Sequence, residues 1–194
     1  MTRTKPAEQR RADLLAAGRA LFLAKGIAAT SLDDITQRAG VSKGLFYLYF
    51  ASKEDLVLAL QDQFSREVAT RMSTAAAALA ESGQADWAAK LDACVTAGFE
   101  CYRELHDLHE VLFHHTRTAR PGPEPAPAIL VLAGLLAAGT AAGALDVSDP
   151  ESTAVLCYAS MHASDLGFRG RGGPDEARLI GAARQLVRRA AGLP

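Results

Sequence analysis

Between Thr30 and Lys53 the chain reads TSLDDITQRAGVSKGLFYLYFASK, a run dense in hydrogen-bond donors and nearly empty of the groups that make and break bonds. It offers hydroxyls, ammonium groups and phenols rather than a nucleophile beside a base or a pair of facing carboxylates. Donors of this kind suit phosphate oxygens and base edges. Two short helices joined through Ala39-Gly40-Val41-Ser42 would present them: Gly40 permits the tight turn, and Ile35, Ala39, Val41 and Phe46 supply an inner apolar face. The outer surface, formed by Ser42, Lys43, Gly44, Tyr47 and Tyr49, is then of a size to enter a major groove, which admits one helix. The same turn could also serve as a plain helical corner with a solvated lysine.

The charge distribution bears on that choice. The whole chain of 194 residues has a formal net charge of -1, which by itself argues against a polyanionic partner. Residues 1–53, however, carry nine basic and four acidic side chains, a balance of +5, and the remaining 12 basic and 18 acidic give -6 to residues 54–194. A basic head on an acidic body is the arrangement expected of a nucleic-acid-binding module joined to a separate domain. We therefore place domain boundaries at 1–53 and 54–194.

The elements that must hold these residues are all helical. Apolar positions recur with a helical period throughout, without strand-like alternation or an Asn-Gly hairpin signal, so an all-α fold of about nine helices is expected. The first runs from about Pro6 to Lys25, with Gly26 as its stop. The second follows Thr30-Ser31-Leu32-Asp33-Asp34, where a hydroxyl cap precedes acidic residues at the positive end of the helix dipole. Ser42 caps a short third helix. A fourth starts near Ser52 and extends towards Ser82, with Leu56, Leu60, Phe64, Val68 and Met72 in steps of four. Further helices are expected over about 86–105, 106–116, 127–143, 150–167 and 174–191. The stretch from Pro125 to Leu145 has 21 residues without charge, but its second half is Ala, Gly and Thr and no basic anchor follows; it reads as a buried helix rather than a membrane span. No signal-peptide pattern is present at the start, and Cys94, Cys101 and Cys157 lack disulfide or zinc-ribbon spacing, so a cytoplasmic protein with core thiols is expected.

Histidines offer a second kind of chemistry. His106, His109, His114 and His115 fall within ten residues, and His106, His109 and Glu110 would share one face of a regular helix. This invites a metal-responsive alternative using the His106–His115 cluster, although the order is HxxHE rather than HExxH and no further ligand can be named, so no metal and no cofactor is expected. With no GxSxG, P-loop or GxGxxG, no enzyme is expected either.

The 30–53 segment resembles the TetR family of bacterial one-component transcriptional regulators. Thr30, Ile35, the run from Ala39 to Gly44, Phe46-Tyr47, Phe50 and Ser52-Lys53-Glu54 match the family pattern in order and spacing, while Thr36, Leu45 and Leu48-Tyr49 depart from it. The resemblance implies a homodimer that binds double-stranded DNA at a palindromic operator, nucleoid-associated when bound, and that acts as a repressor released by a small-molecule effector; the alternative is a DNA-binding protein that responds to no effector. It implies that Lys43 and Gly44 approach bases or phosphates, that Tyr47 lies against the backbone, and that Thr30, Ser42, Tyr49 and Lys53 donate to phosphates. Arg3, Lys5, Arg10 and Arg11 would form an arm over the backbone. The C-terminal body would hold a largely apolar effector pocket walled by Trp87, Phe99, Tyr102, Phe113 and Met161, with His106, Asp165 and Cys157 as polar groups. Two final helices would build the dimer interface through Val155, Tyr158, His162 and Leu166, and through Leu179, Ala183, Leu186 and Val187.

Overall fold

The computed structural model describes residues 6–79, 86–114, 125–161 and 176–194. Among them it contains nine α-helices and no strand: α1 (Ala7–Lys25), α2 (Leu32–Ala39), α3 (Lys43–Tyr47), α4 (Lys53–Ala78), α5 (Trp87–Glu104), α6 (His106–His109), α7 (Pro127–Ala141), α8 (Pro150–Met161) and α9 (Glu176–Ala190), with a π-helical turn at Glu110–His114 after α6. The all-α fold expected from the periodicity is the fold observed. None of these helices is long and apolar enough to cross a membrane.

The described residues fall into two compact units. One holds α1, α2, α3, the start of α4 through Phe64, and α6 with the π-turn; the other holds α4 from Ser65, α5, α7, α8 and α9. By contacts, the unit that contains the basic head is therefore larger than residues 1–53.

In the first unit, side chains from four elements meet in one apolar centre. Leu14 and Phe22 of α1, Ile35 of α2, Phe46 of α3 and Leu56 of α4 are completely buried, and Phe50 between α3 and α4 is nearly so. The Phe46 ring meets Tyr47 edge-on at 5.7 Å and Phe50 at 5.6 Å. Burial of several such rings is worth roughly 2–3 kcal/mol each, enough for a small helical unit to hold its geometry. Arg10 and Arg11, two of the residues expected to form an arm over the DNA backbone, lie within α1 as its predicted span requires, and the Arg11 guanidinium sits 5.2 Å from the centre of the Phe50 ring. Arg3 and Lys5 lie outside the described residues.

The second unit joins α5 to α9 by an apolar and a polar contact. Leu91, Cys94, Val95 and Cys101 of α5 are buried, as are Ala183 and Val187 of α9. Burial pushes the Cys94 thiol up to about 12 and the Cys101 thiol to about 11, so these are unreactive core groups, as their spacing suggested. At the polar edge of the contact, Asp92 accepts hydrogen bonds from Arg184 and, through two nitrogens, from Arg188.

Candidate nucleic-acid interface

The turn between α2 and α3 is closed from both sides by helix caps, Gly40 at the end of α2 and Ser42 at the start of α3. Gly40 adopts the left-handed conformation (φ 67°, ψ 35°), and the following Val41 N–H donates to the Thr36 carbonyl, so the last carbonyls of α2 are satisfied without another turn of helix. Two residues on, the Ser42 hydroxyl accepts from the Leu45 N–H and starts α3. The start of α2 is capped as tightly: Ser31 accepts from the Asp34 N–H while Asp34 accepts from the Ser31 N–H, a reciprocal capping box. Lys25 and Ser31, by donating to it, hold the Asp34 carboxyl well below the usual carboxylate range, and the 2.7 Å pair with Lys25 ties the end of α1 to the start of α2.

With α2 and α3 fixed in this way, Phe46 points inward and Lys43, Gly44, Tyr47 and Leu48 point out. Tyr47 is 57% and Leu48 77% exposed, whereas Tyr49 is half-buried. Ser42 is exposed but its oxygen is occupied as a cap. Lys43 makes a 2.6 Å ion pair with Asp33 of α2, and that carboxylate raises the lysine's pKa above its ordinary value. Gly44 has open space where a side chain would be: a Cβ there would meet only the Ser42 hydroxyl oxygen, at 3.9 Å. Since glycine inside a helix costs about 1 kcal/mol relative to alanine, packing within the chain gives no reason for it.

Two expected phosphate donors are placed differently. Thr30 is buried, 1% exposed, and its hydroxyl donates to the Gly26 carbonyl, closing the loop between α1 and α2. In this structure it is a loop-fixing residue, and the exposed hydroxyl beside it belongs to Ser31. The spacing of Ser31 to Asp34 was the signal that could have distinguished them, because a capping box needs a hydroxyl and an acid three residues apart. Lys53 is half-buried, and its ammonium donates to the carbonyls of Ile27 and Thr30 at 2.8 and 2.9 Å. It braces that same loop from the first turn of α4, leaving one of its three donors for any outside partner.

The remaining expected groups divide between the units. Trp87, Phe99, Tyr102 and Met161 lie in the second, and His106 and Phe113 in the first. Phe99, Tyr102 and Met161 are buried, and the Tyr102 and Tyr158 hydroxyls are hydrogen-bonded at 2.6 Å. Trp87 is half-buried with the Lys90 ammonium 4.5 Å from its ring centre. His109 does not share an open face with His106 and Glu110: it is buried, stacked on Phe113 at 4.9 Å and against Phe64 at 5.4 Å. The regular register persists through Glu110, whose N–H still donates to the His106 carbonyl; it is the packing of the His109 ring between Phe64 and Phe113 that removes it from any open cluster. No three His, Cys, Asp or Glu side chains come together as a metal site among the described residues. His115, His162, Asp165 and Leu166 lie outside them.

On the last two helices, Val155 and Leu186 are exposed, at 47% and 51%, but Ala183 and Val187 are buried within the chain itself, and Leu179 is half-buried. The physical reason is rotation about α9: Ala183, Val187 and Ala191 follow one face, and Leu186 stands about 100° away from Val187. Leu156 of α8, 72% exposed, was missing from the expected face.

Two capped helices with a left-handed glycine between them, the second presenting a lysine, a bare glycine and a phenol to solvent, define a helix-turn-helix domain. Residues 14–60 match the family model described as bacterial regulatory proteins, tetR family. Residues 14–60 thus form a helix-turn-helix domain of the tetR family of bacterial regulatory proteins. It is 32% identical over 116 residues to the transcriptional activator FasR of Mycolicibacterium smegmatis, a match that covers 60% of this chain and 51% of FasR; the chain thus spans about half the length of that relative. Among solved structures, a TetR-family transcriptional regulator from Pectobacterium atrosepticum is 26% identical with 97% of both chains covered and a TM-score of 0.68. The fold is also shared with FadR from Bacillus subtilis in complex with stearoyl-CoA, at 17% identity, 93% and 97% coverage and a TM-score of 0.66.

Proposed function

We propose that this protein is a homodimeric DNA-binding transcriptional regulator that inserts α3 of each protomer into the major groove of a palindromic operator, and that it is a repressor released by a largely apolar small molecule. The observation that carries the DNA-binding part is the exposed α3 face, where Gly44 lacks a side chain for no reason inside the chain. A missing Cβ beside Lys43 and Tyr47 fits the close approach of a DNA backbone or base edge. Support for the second copy comes from Val155, Leu156 and Leu186, large apolar side chains left in solvent on the last two helices. Support for an apolar effector comes from Phe99 and Met161 in the interior of the second unit, with the Tyr102–Tyr158 hydroxyl pair as a polar mark among them. FadR from Bacillus subtilis was crystallised with stearoyl-CoA, which makes long acyl chains a first class to test.

The test is footprinting of the wild-type protein on the promoter beside its own gene, repeated with Gly44→Ala. The variant is expected to be as stable as wild type or slightly more so, because alanine favours the helix, and to bind the protected site at least about tenfold more weakly. Undiminished binding by Gly44→Ala would remove the close approach at this position. A reporter driven by that promoter decides the sign of regulation: deleting the gene raises expression for a repressor and lowers it for an activator.

Lys53→Ala separates two roles of one ammonium. Loss of its bonds to Ile27 and Thr30 is expected to cost about 1 kcal/mol of stability in the absence of DNA. Loss of a phosphate contact through the third donor is expected to flatten the slope of log affinity against log salt by about 0.9. Weaker binding at an unchanged slope would reduce Lys53 to a brace of the loop.

A further inference from the structure

Leu48 is the most exposed of the large apolar side chains described, at 77%, and it stands on the face that the proposed function turns towards DNA. Its backbone still has helical angles (φ -73°, ψ -20°), so it continues the α3 spiral and lies one turn below Gly44. Because Gly44 has no side chain and a Cβ there would touch only Ser42, nothing at that neighbouring position covers Leu48 from above. The result is a small apolar step, the Gly44 backbone and the Leu48 isobutyl group, on the short helix that also exposes Lys43 and Tyr47. Leucine cannot donate to a phosphate or to a base acceptor. The apolar group that a base edge shows in the major groove is the 5-methyl of thymine.

We infer that Leu48 is a specificity-determining residue that reads one thymine methyl group in each half of the operator, an inference that rests on the DNA-binding reading above. Its chemistry makes a specific demand. A residue that recognises the methyl alone distinguishes thymine from uracil, which differ only in that group, and favours 5-methylcytosine over cytosine for the same reason.

The experiment uses the full chain. Duplexes are first selected by the wild-type protein from a pool with a randomised central segment, and the recovered consensus is then synthesised with each thymine of one half-site replaced in turn by deoxyuridine. One such replacement is expected to weaken wild-type binding about fourfold, the value of one methyl group removed from water, and to leave the affinity of Leu48→Ala unchanged. At the same position, 5-methylcytosine is expected to bind the wild type about fourfold better than cytosine, and the variant equally well. Leu48 is mostly in solvent, so its truncation does not threaten the fold. Deoxyuridine replacements that are all silent in the wild type, or whose effect persists in Leu48→Ala, overturn the inference while leaving a DNA-binding protein. Failure to enrich any duplex overturns the DNA-binding reading itself and the inference with it.

Discussion

Phe46→Ala is expected to destabilise the protein by about 3–5 kcal/mol and to abolish DNA binding at temperatures where the wild type still binds. Phe46 is completely buried, and its ring is shared between the short helix that carries the exposed face and the residues that follow it, Tyr47 and Phe50. A helix of five residues has almost no stability of its own, since one or two backbone hydrogen bonds cannot offset the entropy of forming a turn. Ser42 starts α3, and what holds it in place is chiefly the single large side chain it buries, since the Lys43–Asp33 pair to α2 is exposed and worth little. Urea melts of the full chain, followed by anisotropy with the selected duplex, check the prediction. Phe46→Leu, which keeps most of the apolar volume, is expected to cost under about 1.5 kcal/mol and to retain binding. A loss below about 1 kcal/mol for the alanine variant would show that the face is held by other means.

The second large effect belongs to Asp92. Its side chain is 8% exposed, while its partners Arg184 and Arg188 are 43% and 35% exposed, so removal of the carboxylate leaves two guanidiniums that water can still reach. Asp92→Ala is therefore expected to cost about 2 kcal/mol, less than the 3–5 kcal/mol for breaking a wholly buried pair. The cost should depend on pH in a definite direction. Burial opposes ionisation of Asp92, but the hydrogen bonds and charges of Arg184 and Arg188 outweigh it and hold the carboxyl below its ordinary value. A lowered folded pKa means stability that is fully present above the unfolded value, about 3.9, and is lost as pH falls through the lower folded value. The difference between wild type and Asp92→Ala is expected to be constant from pH 7 to about 5 and to shrink below about pH 4. Thermal melts across that range measure it, and a gap that widens on acidification would contradict the assignment.

How far such features can be read from sequence depends on how local their causes are. The helix-turn-helix is legible because Ser31, Asp34, Gly40 and Ser42 act within three or four residues of themselves, and because Ile35 and Phe46 mark the inner faces of helices that have only one inner face. Thr30 shows the limit: two adjacent hydroxyls are alike as residue types, and the one that faces solvent is decided by which reaches Asp34. Lys53 is further out of reach, since its partners lie 26 and 23 residues away and nothing near position 53 points to them. Asp92, separated from its arginines by 92 and 96 residues, left only the faint mark of a single acid between Leu91 and Cys94 on an apolar face. On α9 the apolar residues span more than one face, so period alone could not separate Ala183 and Val187, which the chain buries, from Leu186, which it leaves out. The burial of His109 was equally hidden, because one of the two rings that enclose it, Phe64, lies 45 residues away on another helix, and nothing in the spacing of His106, His109 and Glu110 points to it.

The ion pair between Lys43 and Asp33 has a consequence for ion exchange at the surface. On the DNA-binding reading proposed above, a phosphate that approaches Lys43 would meet the Asp33 carboxylate already beside it, and that carboxylate stays attached to the chain. Asp33 would then be a tethered competitor that subtracts from the free energy of any phosphate contact by Lys43 and, unlike a dissolved anion, does not weaken as the salt is diluted. Tight binding then falls to sequences that reward the exposed face with more than charge.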